Sequence, residues 1–221
     1  MSYHVVVDLE MCKVPRGCRT KDFKWADETI QIGAVLLDDD YQMIDKFDSY
    51  VCPEFGKIDS FIKKFTGITE KDVLHAPKMQ EALWAFTEWI PEGDVEMVSW
   101  SDSDQKQFMH EMIGKTIGNV RMTELLANWN DCQVTFSEKM DSDRKYSLGE
   151  ALIAADIEQQ GQAHNGYYDA YNTALLFAKM ETEEEFKLNK LYEEAKSEEC
   201  SHLSSCLGDL LKGFDFALCA G

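Results

Sequence analysis

The chain of 221 residues carries 41 acidic and 22 basic side chains, so its formal net charge is −19. This charge argues against a protein that holds long duplex DNA by its backbone, since such proteins carry basic patches. Because the sequence has no run of eighteen apolar residues, no secretory signal pattern and an odd number of cysteines (seven), we predict a cytoplasmic protein of ordinary domain size, with reduced thiols and no membrane partner.

The first predicted element is a buried strand, His4–Glu10 (HVVVDLE), with two carboxylates at its end. Because side chains alternate along a strand, Asp8 and Glu10 are expected to point to the same face. Two like charges so placed repel each other unless a cation lies between them. We therefore interpret this strand end as half of a metal site.

The next segments predict two further strands, which form an antiparallel portion of the sheet together with the first. Residues 28–38 (ETIQIGAVLLD) alternate and then become continuously apolar, and a turn at Asp38–Asp40 leads to a third strand over residues 42–51. Helical spacing follows from Ser60 to Ile90, with a break at Gly67 and a new helix start at Thr69. Strand returns at Val95–Trp100.

Later segments are predicted to be helical, around residues 104–112, 122–129, 147–155 and 168–180. Strands followed by helices that alternate with a further strand indicate an α/β domain with a mixed sheet. We assign residues 1–180 to this domain and residues 181–221 to an acidic helical C-terminal extension.

The extension is predicted to carry an apolar stripe formed by Phe186, Leu188, Leu191 and Tyr192. Such a stripe packs against its own domain in most proteins, and self-association through it is the alternative. The extension also contains Cys200, His202 and Cys206. We interpret them as reduced thiols beside a histidine, because a fourth zinc ligand is not evident.

A third carboxylate is expected just after the strand Val95–Trp100. Asp102 suits the role of a helix N-cap, whereas Asp104 falls in the first helical turn and is predicted to point back toward the sheet. We favour Asp104 over Asp102 as the metal ligand.

A fourth carboxylate follows in Ala163–Asp169 (AHNGYYD). Asn165 and Gly166 predict a flexible turn, with Asp169 in the first turn of the next helix. His164 would then lie on a loop, five positions before a carboxylate fixed on a helix. Although a lone histidine is usually structural, this spacing beside an acidic set indicates a functional role.

Four carboxylates from a strand and two helices can hold two divalent cations about 4 Å apart. Oxygen ligands favour Mg²⁺ or Mn²⁺ over zinc. A neutral histidine beside them can accept a proton from water at neutral pH. The chemistry indicated is metal-assisted hydrolysis of a phosphodiester.

These motifs resemble those of the DnaQ-like exonucleases of the DEDDh type. Asp8-Leu9-Glu10 is similar to the family's first motif, Asp104 to the second, and His164 with Asp169 to the third. Phe65–Val73 (FTGITEKDV) and Ser147–Ala151 (SLGEA) also resemble family segments. The similarity covers residues 4–180, and the middle segment most resembles the ERI-1-like and KapD-like branch.

The resemblance implies a ribonuclease-H-like fold, a mixed five-stranded sheet flanked by helices, and 3′–5′ removal of 5′-nucleoside monophosphates. It implies that Asp8, Glu10, Asp104 and Asp169 bind two Mg²⁺ or Mn²⁺ ions and that His164 is the general base. It further implies that four residues contact the terminal nucleotide: Leu9, Met11, Thr66 and Ile68.

The predicted partner is therefore a nucleic acid. The negative charge favours RNA or single-stranded DNA ends over a long duplex. The competing hypothesis is a catalytically idle protein that retains this fold as a binding scaffold, because a fold alone does not determine function.

Overall fold

The computed structural model describes residues 2–189. Its elements in chain order are β1 Ser2–Lys13, β2 Asp27–Leu37, β3 Met43–Tyr50, α1 Ser60–Thr66, α2 Glu70–Val73, α3 Met79–Trp89, β4 Asp94–Ser99, α4 Ser103–Gly114, α5 Val120–Leu125, β5 Trp129–Asp131, α6 Cys132–Lys139, α7 Leu148–Ala154 and α8 Gly166–Thr182. Within this part of the chain, no helix is both long and apolar enough to cross a membrane.

Five strands form one mixed sheet in the order β3-β2-β1-β4-β5. β1 pairs antiparallel with β2 and parallel with β4, while β2–β3 is antiparallel and β4–β5 parallel. β1 lies at the centre because its valines, Val5, Val6 and Val7, are apolar on both faces and are completely buried. The predicted mixed five-stranded sheet flanked by helices is confirmed.

Because successive side chains of β1 point to opposite faces of the sheet, its valines lie in two separate cores. Val5 and Val7 pack with side chains of α3 and α4, including Phe86 and Phe108. Val6 faces the other way and packs with α6, α7 and α8, including Phe177. Helices therefore cover both faces of the sheet.

Three predicted helix boundaries agree with the structure. Gly67 ends α1 with φ of 77°, a left-handed conformation that favours glycine, and Thr69 with Asp72 forms a capping box at the start of α2. Ser147 and Glu150 form a second capping box at the start of α7.

The predicted helix over residues 122–129 is too long. α5 ends at Leu125, and Trp129 begins the short strand β5, which pairs with Met97 of β4. A three-residue strand has too little sequence for a periodic pattern, and α6, which follows it directly, was also missed. The predicted flexible turn at Asn165-Gly166 is wrong as well, because Asn165 is the N-cap of α8 and Gly166 its first residue.

The predicted C-terminal helix lies mostly outside the described residues, including Leu191, Tyr192 and the Cys200–Cys206 group. Residues 183–189, which the structure describes, form no helix. Phe186 and Leu188 pack against the core cluster under α6–α8, and the Asn189 amide donates to the Ala154 carbonyl at 2.7 Å. This short segment therefore packs against its own domain.

Candidate active site

Asp8 and Glu10 lie on the central strand, next to a break in its regular pairing. β1 does not end at Glu10 as predicted but continues to Lys13, and its register with β2 shifts between Glu10 and Met11. Such bulges redirect side chains and are frequent beside active sites. Glu10 is 7% exposed, so its carboxylate is buried without a basic partner among the contacts that the structure describes.

Asp104 is fixed to the same strand by its side chain. It lies in the first turn of α4, is 4% exposed, and its Oδ1 accepts a hydrogen bond of 3.0 Å from the Leu9 amide. Asp102 lies at the N-cap position but its side chain makes no capping hydrogen bond and instead pairs with Lys106 at the surface. The structure thus brings Asp104, and not Asp102, against β1.

The start of α8 lies against β1 and β2 because two glycines allow it. A Cβ on Gly33 would lie 2.1 Å from the Gly166 carbonyl carbon, and a Cβ on Gly166 would lie 3.0 Å from the Asp8 carbonyl oxygen. The Gly166 amide also donates to Gln31 Oε1 at 3.1 Å. These contacts set the position of His164 and Asp169 relative to Asp8.

His164 and Asp169 are joined by a hydrogen bond. His164 has φ of 61°, and in this left-handed conformation its backbone amide donates to Asp169 Oδ2 at 2.8 Å. Potential ligand atoms of Glu10, His164 and Asp169 all lie within 4.8 Å of one another. A single cation could therefore contact all three side chains.

The four carboxylates disfavour one another's ionisation. Burial, and then the charges of Asp104, Asp169 and Glu10, raise the pKa of Asp8 well above its usual range. Burial first, and then the charges of Asp169 and Asp104, raise the pKa of Glu10 to about 8. Burial also raises the pKa of Asp104 to about 7 and that of Asp169 to about 6. A bound cation would relieve this electrostatic cost.

Phe65 of α1 covers the His164 ring. The two ring centroids are 3.6 Å apart and the planes are inclined by 23°. Desolvation lowers the pKa of His164, so the imidazole is neutral at pH 7 and one ring nitrogen can accept a proton. Phe65 was not predicted as a site residue, although its place directly before Thr66 was a possible signal.

The four predicted nucleotide-contacting residues are buried or partly buried. Leu9, Thr66 and Ile68 are at most 5% exposed, and Met11 is partly buried against the core. Thr66 Oγ1 already donates to the Ile62 carbonyl and accepts from the Ile68 amide, at 3.0 Å each. Their contact with substrate stays a prediction.

Sequence reasoning also missed Gln31 and Gly33. A glycine inside a continuously apolar strand often marks the close approach of another backbone, and Gly33 carried that signal. A buried polar residue such as Gln31 gives no hint of its partner, since Gly166 is 135 positions away.

The chain is similar in sequence to known proteins. The RNase_T family model, described as "Exonuclease", matches residues 5–177. ERI1 exoribonuclease 2 of Danio rerio is 30% identical over 206 residues, which cover 82% of this chain and 35% of that protein. The PolC-type DNA polymerase III of Caldanaerobacter subterraneus is 31% identical over 157 residues, which cover 70% of this chain and 10% of that protein. The chain thus spans about a third or less of the length of these relatives.

Solved structures share the fold. The nuclease domain of 3′hExo, a DEDDh family member bound to rAMP, superposes with a TM-score of 0.67 at 20% identity, covering 85% of this chain and 96% of that domain. Cell-death related nuclease 4 (CRN-4) gives a TM-score of 0.68 at 20% identity, covering 80% of this chain and 63% of that one.

Proposed function

Because the chain belongs to the RNase_T exonuclease family, in the ERI1-like branch of the DnaQ-like DEDDh group, we propose that it is a 3′–5′ exonuclease. It hydrolyses phosphodiester bonds of RNA or single-stranded DNA from the 3′ end and releases 5′-nucleoside monophosphates. The observation that best supports this is the cluster of Glu10, His164 and Asp169 beside Asp8 and Asp104. We further propose that residues 1–180 form the catalytic domain and residues 181–221 an extension to it.

The donor set fits two Mg²⁺ or Mn²⁺ ions. Asp8, Glu10, Asp104 and Asp169 offer carboxylate oxygens, the ligands that hard cations prefer. Burial and then mutual repulsion raise the pKa of Asp8 and Glu10. When bound, the ions would stabilise the negative charge that develops on the phosphodiester and increase the acidity of the attacking water.

His164 has the properties of a general base. Its neutral imidazole accepts a proton at a ring nitrogen, while Asp169 holds the backbone of the same residue through the 2.8 Å hydrogen bond. Asp104 has a corresponding positioning contact, because its bond to the Leu9 amide fixes the start of α4 against the strand that carries Asp8 and Glu10.

The names of the relatives support a nucleic-acid substrate, which could be RNA or DNA. One is an exoribonuclease by name and the other a DNA polymerase. The proposed pocket for the terminal nucleotide is bordered by Leu9 and Met11 on β1, by Thr66 at the end of α1 and by Ile68 just after it.

A degradation assay with matched variants tests the proposal. The full chain is incubated with Mg²⁺ or Mn²⁺ and 5′-labelled single-stranded RNA or DNA, and a ladder that shortens from the 3′ end is expected. Asp8→Ala should abolish the ladder, whereas Asp102→Ala, at an aspartate outside the cluster, should retain it. If the wild-type chain leaves every substrate intact with either metal, the exonuclease proposal fails and the binding scaffold is favoured.

A further inference from the structure

The negative charge of this chain is unevenly distributed. Residues 13–24 and 57–64 contain eight basic and two acidic side chains, a net charge of +6. The other 201 residues contain 14 basic and 39 acidic side chains, a net charge of −25. The two basic segments, called here the basic surface, therefore contrast with the rest of the chain.

The two segments lie side by side in the fold. The first is the end of β1 and the loop toward β2, and the second leads into α1. The Lys57 amide donates to the Lys13 carbonyl at 3.0 Å, and the Phe23 and Phe55 rings stack with centroids 5.0 Å apart. The backbones of the two segments are therefore in contact at Lys13 and Lys57.

Most of these cations form no ion pair with the residues that the structure describes. Arg16, Lys21, Lys57, Lys63 and Lys64 are exposed, and none forms an ion pair with a residue in the range 2–189. Lys13 differs, because it pairs with Asp27. Neighbouring exposed cations without carboxylate partners repel one another, so an anionic ligand would be bound favourably here.

The basic surface adjoins the candidate active site in two places. Lys13 lies three residues after Glu10 on β1, about 10 Å away along the strand. On the other side, α1 carries Lys63 and Lys64 beside Phe65, whose ring lies on His164. Phe61 stacks on Phe65 with centroids 5.4 Å apart, and the two rings are 62% and 43% exposed.

We propose that the basic surface binds the phosphate backbone of a single-stranded nucleic acid, upstream of the 3′ end that occupies the active site, with Phe61 available for base stacking. Cations that follow the backbone together with exposed aromatic rings are the usual elements of single-strand binding. A duplex fits less well, because its second strand would add negative charge beside a chain whose other 201 residues carry a net charge of −25. This inference rests on the proposed exonuclease function.

Two charge-reversal pairs test the proposal. Arg16→Glu with Lys21→Glu changes the basic surface, and Lys139→Glu with Lys145→Glu changes exposed lysines in and after α6. Both pairs lower the net charge from −19 to −23, so any difference between them reports position and not total charge. Lys57→Glu with Lys64→Glu is a second pair in the basic surface, used if the first lowers the melting temperature.

Length dependence is the discriminating measurement. With Mn²⁺, kcat/KM on a single-stranded 20-mer should fall at least tenfold in the basic-surface pair and less than twofold in the α6 pair. In the basic-surface pair, the fall in kcat/KM should be smaller on a dinucleotide, which has no upstream phosphates. In EDTA, fluorescence anisotropy of a labelled 20-mer should show that the slope of log affinity against log salt falls by about 1.4, at about 0.7 per lost phosphate contact.

Several outcomes would overturn the proposal. Equal losses in the two pairs would mean that total charge and not the basic surface matters, and unchanged 20-mer cleavage in both basic-surface pairs would mean that the surface is not used. These results presuppose an active wild-type chain. Inactivity of the wild type on both the 20-mer and the dinucleotide would instead refute the exonuclease function itself.

Discussion

The Asp104 carboxylate accepts a 3.0 Å hydrogen bond from the backbone amide of Leu9, the residue between Asp8 and Glu10. One side chain thereby joins the first turn of α4 to the strand that carries the other two carboxylates. Because Asp104 is only 4% exposed, this contact is shielded from water and fixes the relative position of the two elements.

Replacing Asp104 by Asn should separate its structural role from its chemical one. The amide oxygen of Asn can still accept from Leu9, and the substitution removes one of four repelling charges, so we expect the metal-free stability to stay the same or rise. Exonuclease activity should fall about a hundredfold or more, the scale on which lost electrostatic stabilisation acts. Urea unfolding and a degradation assay measure the two effects, with Asp102→Asn as control. A variant that is unstable but active would contradict both roles.

Gly33→Ala should displace the start of α8. The added Cβ would meet the Gly166 backbone at 2.1 Å, so we expect a destabilisation of about 1–3 kcal/mol, typical of overpacking, and reduced activity because His164 and Asp169 move from Glu10. Gly118→Ala is the matched control, since its Cβ would have no heavy atom within 4 Å. Thermal unfolding of both variants checks the prediction, which equal melting temperatures would contradict.

The sequence was sufficient to predict the positions of those candidate site residues whose signal is local. Asp8 and Glu10 interrupt an apolar strand, and Asp169 follows a helix start, so each position could be read from its neighbours. Val5, Val6 and Val7 likewise predicted a buried strand, because apolar side chains on both faces require cover on both faces.

Contacts between distant residues could not be predicted. Gln31 and Gly166 are 135 positions apart, and neither side chain nor spacing indicates that they meet. β5 has three residues, fewer than a periodic pattern needs, so Trp129 was assigned to a helix. The stacking of Phe65 on His164 depends on how α1 packs, which composition does not reveal.

Lys115 should be essential for stability, because it neutralises a buried pair of carboxylates. Its Nζ lies 2.7 Å from Glu28 Oε1 and 2.7 Å from Glu111 Oε2, and the Lys115 side chain is 5% exposed. Lys115→Met leaves both carboxylates without this cation. We expect the free energy of unfolding to fall by about 3–5 kcal/mol. Lys106→Met, which breaks an exposed pair, should cost at most about 1 kcal/mol. Urea unfolding at pH 7 measures both values.

The folding stability of Lys115→Met should depend on pH differently from that of the wild type. Burial acts to lower the pKa of Lys115, but the charges of Glu111 and Glu28 outweigh it and raise that pKa. In the wild type the stability that Lys115 contributes is therefore present at neutral pH and is lost only as the pH rises through this pKa. Burial already raises the pKa of Glu111, and removing Lys115 raises it further. The folded variant then binds a proton that the unfolded chain does not, so its stability should increase as the pH falls from 7 to 5. If the difference in unfolding free energy between wild type and Lys115→Met does not change with pH, this explanation is contradicted.

Divalent metal should stabilise the folded chain independently of catalysis. At a metal concentration of 100 Kd, binding to the folded state alone contributes about 2.7 kcal/mol, which corresponds to a rise in Tm of about 5–10 °C for a domain of this size. The rise should be measurable with Mg²⁺ or Mn²⁺ and reversed by EDTA. It should shrink in Glu10→Gln, because Glu10 lies within 4.8 Å of His164 and Asp169, and persist in Asp102→Asn. Equal rises in the two variants would mean that the stabilising ion binds elsewhere, and no rise in the wild type would argue against the two-metal site.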